Sequence, residues 1–575
     1  MKRYWKYIRP YIQYYILGPC FMMMEVVGDV LLPYMLAKII NQGIAERNVV
    51  YIIKIGIIMG FIAVIMAVGG ILGAWFASKA AMNFGADLRM DLFEKIQQFS
   101  FQNIDNFSTG SLITRLTNDI TQIQNMIMMT LRMCLRSPGI LIGAMVMAFV
   151  ISSKLAAIFI IVLPVLAVLI VVIMRRAFPQ FRTLQEKLDA LNSCIQEGLV
   201  GIRLIKSFVR GDYEEMRFEK RNQQLKEANL TAMKTMLLYT PLMTLALNIT
   251  TVVVVWSGGN MIVAGNMQVG DLTAFTNYIV QIMSSLTMLS IAFLNWARAI
   301  ASFRRVGEVL DEKIDLTDEN AKHKDRAVCE GSVEFQNVSF RYYKNSPEWV
   351  IENISFKLEA GKTLGIIGST GSGKSTLVSM IPRLYDTDEG TVLVDGINVR
   401  DYGLKPLREG IGMVLQNNTL FSGSITENLK WGDEHADEKA VRKAAQNAQA
   451  AGFIDSFKDG YRTRLEQSGN NVSGGQKQRL CIARALLKCP KILILDDSTS
   501  AVDTATERAI REALHSEYKD MTKIIIAQRI RSVMDADEIL VLDNGKTAGF
   551  GTHEQLLADC PVYREIYDVQ NGREE

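Results

Sequence analysis

The stretch Gly368-Ser369-Thr370-Gly371-Ser372-Gly373-Lys374-Ser375-Thr376 decides the fold class of half of this chain. It follows an apolar run at 363–367 and opens an apolar helical pattern. Glycines at such a strand-to-helix turn let backbone N–H groups converge on phosphate oxygens, and the helix start adds a positive dipole. In the pattern G-x-x-x-x-G-K-[ST], Lys374 reaches the outer phosphates of a nucleotide and the Ser375 hydroxyl ligates Mg²⁺. The expected unit is an α/β fold with a phosphate-binding loop.

Two stretches downstream extend this reading. Ile492-Leu493-Ile494-Leu495-Asp496 is an apolar strand ending in a carboxylate, which fits a further Mg²⁺-holding group. Between it and the first loop lies Val472-Ser473-Gly474-Gly475-Gln476, followed by a basic helix over 477–487. A serine and two glycines at a helix start make a second anion site. One nucleotide needs only one, so the second is expected to serve a nucleotide held by another subunit.

Upstream, the chain changes solvent. Residues 331–575 form the nucleotide unit, 306–330 are a charged linker, and 1–305 belong to the bilayer. A bilayer core needs about 20 apolar residues as a helix. Six stretches meet this, at about 14–40, 56–77, 129–151, 155–174, 241–264 and 272–294. Lys2, Arg3, Lys6 and Arg9 before the first span, and Arg175 and Arg176 after the fourth, put both termini in the cytoplasm. Residues 1–11 have no apolar core before a cleavage site and read as a short helix on the inner membrane surface. The second-to-third and fourth-to-fifth connections read as amphipathic helix. They are expected to form paired rods that turn at 101–110 and 209–216.

Composition agrees. Of 575 residues, 49% are hydrophobic and 21% charged, and 63 basic against 60 acidic residues leave a net charge of +3. That balance excludes a strongly basic nucleic-acid binder. Seven cysteines without a C-x-x-C pair exclude a zinc site and a disulfide framework.

Taken together, the whole chain resembles a half-transporter of the ABC exporter family, multidrug-type. The resemblance implies an all-α six-helix transmembrane domain with long intracellular helical loops, followed by an α/β ATP-binding cassette. Residues 368–376 match its Walker A loop, 492–496 its Walker B strand and 472–476 its signature, with Val472 for the usual leucine. By the same resemblance Tyr342 stacks on adenine and Gln416 is the Q-loop glutamine, touching Mg²⁺. Ser500-Ala501-Val502-Asp503 is the D-loop. Ser108-Thr109-Gly110, Arg115 to Asp119, and Gln196-Glu197 to Arg203 resemble its intracellular loops. ATP and Mg²⁺ are the implied ligands. Each of two cassettes then uses Walker A and B from one chain and the signature from the other.

The departures are as informative as the matches. Asp497 stands where the family has a glutamate that orients the attacking water, and Gln528 where it has a switch histidine. Asp falls short by roughly 1 Å, and a misplacement of that size costs about 100-fold. Gln467 also replaces a glutamate ahead of the signature. With the ATP-holding residues intact, this chain resembles the weak-site subunit of bacterial heterodimeric exporters. It is expected to pair with a second half-transporter that has the glutamate and the histidine, in a bacterial plasma membrane. Its own turnover without that partner should be low.

In the first span Glu25 and Asp29 lie one helical turn apart. They read either as a site for cationic amphiphiles or as a structural pair with Arg132 or Arg136. The expected cargo is hydrophobic or amphipathic, including drugs. A lipid or peptide exporter and an ATP-gated, channel-like regulatory subunit are the alternatives.

Overall fold

The computed structural model describes residues 2–344, 346–498 and 502–571. They form two compact units, residues 1–97 with 110–311 and residues 98–109 with 312–575.

The first unit is helical. Its long helices are α1 (Ile12–Lys38), α2 (Val49–Gln97), α3 (Ile120–Met133), α4 (Arg136–Ile151), α5 (Ser153–Val200), α6 (Gly211–Leu237), α7 (Tyr239–Val263) and α8 (Val269–Asp311). At 1.5 Å per residue, a helix as long as α2 runs about 70 Å, more than twice a bilayer core. Among the described residues, five helical rods are long and apolar enough to cross a membrane. The sixth expected stretch, 272–294, lies on α8 and runs into side chains outside the described residues.

One local expectation is refined and one corrected. The stretch 129–151 lies in the membrane-length rod Thr109–Ile151, but a short turn interrupts it where α3 ends at Met133 and α4 starts at Arg136. Pro138 has no N–H to bond the Cys134 carbonyl and its ring crowds that turn. The helix restarts with the Gly139 N–H donating to the Leu135 carbonyl at 2.9 Å. The second rod turns at 201–210, not at 209–216. After a short helix at Ile202–Ser207, Val209 adopts a left-handed φ of 52°, and α6 begins at Gly211. Asp212 and Glu214 in its first turn suit the positive end of a helix.

Packing in this unit is tight where α5 and α8 meet. Phe159 and Phe275 stack at 5.4 Å, and the fully buried Tyr278 donates its hydroxyl to the Val30 carbonyl of α1 at 2.8 Å. Nearer the base of the bundle, Asp119 is only 2% exposed. It accepts from Ser302 Oγ at 2.8 Å and is ion-paired to Arg305. Arg305→Ala strips the guanidinium from a buried carboxylate. The expected loss is on the order of 2 kcal/mol, read as a lower thermal unfolding temperature in detergent and partly recovered by Arg305→Lys. An unchanged melting curve would contradict this account of the pair.

The second unit holds the sheets. Strands β1 (Val333–Phe340), β2 (Ile351–Leu358), β3 (Thr363–Gly368), β4 (Glu389–Val394), β5 (Ile411–Val414), β6 (Ile492–Asp496), β7 (Thr522–Ile526), β8 (Glu538–Asp543) and β9 (Lys546–Gly551) alternate with short helices. An antiparallel sheet runs β2-β1-β4 and ends on a two-residue strand at Ile397–Asn398. The larger sheet runs β9-β8-β3-β7-β6-β5, parallel except for the β8–β9 pair. Every residue of β6 and β7 is buried, as parallel strands covered on both faces require.

Candidate functional site

Parallel register brings the separate motifs to one edge. Ile526 of β7 sits between Ile366 of β3 and Asp496 of β6. The loops leaving these three strands therefore emerge side by side at the carboxyl ends, where open α/β sheets bind ligands. They carry residues 368–376, Asp496 with Asp497, and Gln528.

The first loop is shaped by glycine. Gly373 has φ 89°, and a Cβ there would lie 2.6 Å from Ile351 Cγ2. A Cβ on Gly368 would meet the Leu542 carbonyl oxygen at 2.1 Å. Lys374 Nζ is curled into the loop, donating to the carbonyls of Gly368 at 2.8 Å and Ser369 at 2.7 Å. Burial pushes its pKa down, opposed by the charges of Asp497 and Asp496. A cation held inside a glycine loop with only neutral hydrogen-bond partners fits phosphate. Ser375 Oγ donates to Asp496 Oδ1 at 2.9 Å, so a hydroxyl and a carboxylate already converge as a small hard cation needs. Burial raises the Asp496 pKa against that hydrogen bond. Thr376 is buried, and its hydroxyl lies 2.8 Å from the Tyr342 hydroxyl, which pins the Tyr342 ring beside the loop. That ring is 37% exposed, leaving a face for a purine.

Asp497 has a left-handed φ of 48°, a conformation that a short acid tolerates. Its N–H donates to the Ile526 carbonyl at 3.1 Å. Its carboxylate accepts from Gln528 Nε2 at 2.9 Å and is also hydrogen-bonded by the Gln416 side chain. Burial raises its pKa, with Gln528, Lys374 and Gln416 pulling the other way.

The signature loop stands apart. Ser473 caps the helix Gly474–Leu487 (α9), accepting from the Gln476 N–H at 3.3 Å, while Gln476 Oε1 accepts from the Ser473 N–H at 2.9 Å. Arg479 Nε donates to the Gly475 carbonyl at 3.3 Å. Asp503 caps the helix Thr504–Glu517 by accepting from the Thr506 N–H at 3.0 Å. Ser500 and Ala501 of the D-loop stretch lie outside the described residues.

A family model described as the ABC transporter transmembrane region matches residues 15–286, and one described as ABC transporter matches 351–500. The uncharacterized ABC transporter ATP-binding protein YfiB of Bacillus subtilis is 39% identical over 574 residues, covering 100% of this chain and 99% of its own length. The chain belongs to the ABC transporter family. Another relative, YgaD of Bacillus subtilis, provisionally named a multidrug export ATP-binding/permease protein, is 33% identical and 99% covered on both sides. The fold matches the structure of a bacterial Atm1-family ABC exporter with ATP bound, at TM-score 0.81, 24% identity and 98% coverage of each chain. This ABC transporter is thus a membrane protein with the exporter fold. Its cassette binds ATP, and ATPase activity goes with that domain.

Some residues of this transporter carry no sequence signal. Tyr385 meets Tyr342 edge-on at 5.3 Å and donates to Asp105 Oδ2 at 2.9 Å, with Phe101 at 6.0 Å. The segment 98–109 therefore packs within the cassette unit, close to the Tyr342 ring. Gln570 of the last helix holds the loop after β7, donating to the Gln528 carbonyl and accepting from the Ile530 N–H, both at 2.8 Å. In the membrane unit, Glu25 and Asp29 meet Arg136, not Arg132.

Proposed function

We propose that this chain is one subunit of a heterodimeric, ATP-driven exporter in a bacterial plasma membrane. Both termini face the cytoplasm, and the cargo is hydrophobic or amphipathic, drugs included. Its own Walker site binds ATP and hydrolyses it slowly. Its signature completes the competent site on the partner.

The observation that carries this reading is the hydrogen bond between Gln528 Nε2 and Asp497 Oδ2, at 2.9 Å. A general base must reach the proton it removes. Asp497 is one methylene shorter than glutamate, and one of its oxygens is already occupied by an amide. That amide neither titrates nor carries charge as an imidazole does. The holding residues are complete by contrast. Lys374 and the glycine loop bind phosphate, Tyr342 faces adenine, and Ser375 and Asp496 would hold Mg²⁺ with Gln416 beside them. The ion supplies charge neutralisation at the phosphates. Ser473, Gly474, Gly475 and Gln476 keep a capped helix start of the kind that stabilises charge on a phosphate. Asp503 caps the helix after the D-loop, where the two cassettes would meet.

The test compares the purified chain with the complex formed with its partner half-transporter. The chain alone should bind ATP and turn it over slowly, and the complex should be fast. Vigorous Mg²⁺-dependent ATPase activity from the chain alone would contradict the assignment.

A further inference from the structure

The membrane unit contains a cavity of about 410 Å³ lined by residues of α1, α2, α3, α4 and α8, among them Glu25, Asp29, Arg132, Arg136 and Gln281. Ionisable groups inside a bilayer are costly and mark a partner or a site. Arg136 Nη2 lies 2.8 Å from Glu25 Oε1 and 3.4 Å from Asp29 Oδ2. One guanidinium between two carboxylates leaves one negative charge in excess. Arg132 lines the same cavity across the α3–α4 break, and among the described residues it has no ion pair. The cavity wall therefore offers an excess carboxylate and a separate cation.

Among the described residues, two buried polar atoms in the wall also lack hydrogen-bond partners, the donor Arg136 Nε and the acceptor Gln281 Oε1. Gln281 is fixed in place, because its Nε2 donates to the Asp29 carbonyl at 2.7 Å. Met22, Met133 and Met288 supply a pliant apolar part of the lining. An ion pair that merely ties α1 to α4 accounts for Arg136 and the two acids. It leaves the buried Gln281 Oε1 unexplained, and it leaves Arg132, exposed on the same wall, available to an anion.

We propose that this cavity binds the polar end of a zwitterionic amphiphile. The ligand's cationic group lies against Glu25 and Asp29, its anionic group on Arg132, and its tail along the methionines. The assignment rests on the export reading above and narrows its substrate class. A cationic amphiphile leaves Arg132 without a counter-charge in the cavity, an anionic one leaves the excess carboxylate without one, and a neutral one meets neither.

The test uses the full-length chain in a nonionic maltoside detergent, without nucleotide. Acyl-chain-labelled probes with phosphocholine, phosphoglycerol and trimethylammonium head groups are titrated by fluorescence anisotropy. The phosphocholine probe should bind about tenfold tighter than the other two, the size of one charge-assisted contact. Arg132→Gln should remove that tenfold advantage without weakening the trimethylammonium probe, and Arg132→Lys should restore it. Because Arg132 breaks no ion pair, this variant leaves no orphaned acid behind. Asp29→Asn should move the preference toward phosphoglycerol. Equal affinity for all three head groups, or Arg132→Gln binding phosphocholine like the unaltered chain, overturns the assignment. Failure of the export reading looks different. The head-group order would hold while the assembled transporter fails to move the phosphocholine probe into inverted vesicles with ATP.

Discussion

A heterodimer carrying Gly475→Asp in this chain is expected to lose nearly all ATPase activity, while Lys374→Ala in the same chain leaves partial turnover. In the proposed heterodimer the signature acts on charge that develops at a phosphate during transfer, where removing a single preorganised donor costs about 10²–10³ in rate. Gly475 lies in the first turn of α9, and its carbonyl is already held by Arg479. An aspartate there adds a Cβ and a negative charge where an anion must approach. Lys374 by contrast serves only the site where Asp497 and Gln528 are already bonded to each other. Removing it is expected to weaken ATP occupancy at this chain's own site. Steady-state ATPase rates of the two variant heterodimers at matched expression decide the matter. Lys374→Ala without activity beside a near-normal Gly475→Asp would mean that this chain's own site is the engine.

Asp497→Glu combined with Gln528→His is expected to raise single-turnover hydrolysis at this chain's site by about 100-fold, the size of a corrected 1 Å misplacement. Both changes are needed. The longer acid alone still faces the Gln528 amide, and the imidazole alone faces a carboxylate that stops short. The rate is read in a heterodimer whose other site is disabled. No gain would contradict the placement of these two residues as the cause of slow turnover.

How far the sequence reaches is clear from particular residues. The phosphate loop was legible because its glycines have steric reasons that only glycine meets, as at Gly373 with Ile351 beside it. Asp496 was legible as the end of a wholly apolar strand, and that strand pairs in parallel with β7. The long rods followed from hydrophobic length and the first turn, at 101–110, from its polar stretch, but the second turn did not. Pro138 marked the break between α3 and α4, but a hydropathy window averages over one proline. The true turn at 201–210 is set by Val209 in a left-handed conformation, which β-branched residues rarely signal. Tertiary partners were invisible for a different reason. Tyr385 and Asp105 are 280 residues apart, and nothing local to either records the other. The acids Glu25 and Asp29 were visible as a costly pair, with Arg132 and Arg136 equally eligible partners. Only side-chain geometry selects Arg136 and leaves Arg132 facing the cavity.

The most direct test of the central claim asks which nucleotide each chain holds during turnover. The heterodimer is cycled with Mg²⁺ and a photo-crosslinkable azido-ATP, then irradiated next to Tyr342, and the nucleotide attached to this chain is analysed. The account predicts intact triphosphate on this chain while the partner carries diphosphate. Diphosphate on this chain at the partner's level would contradict it.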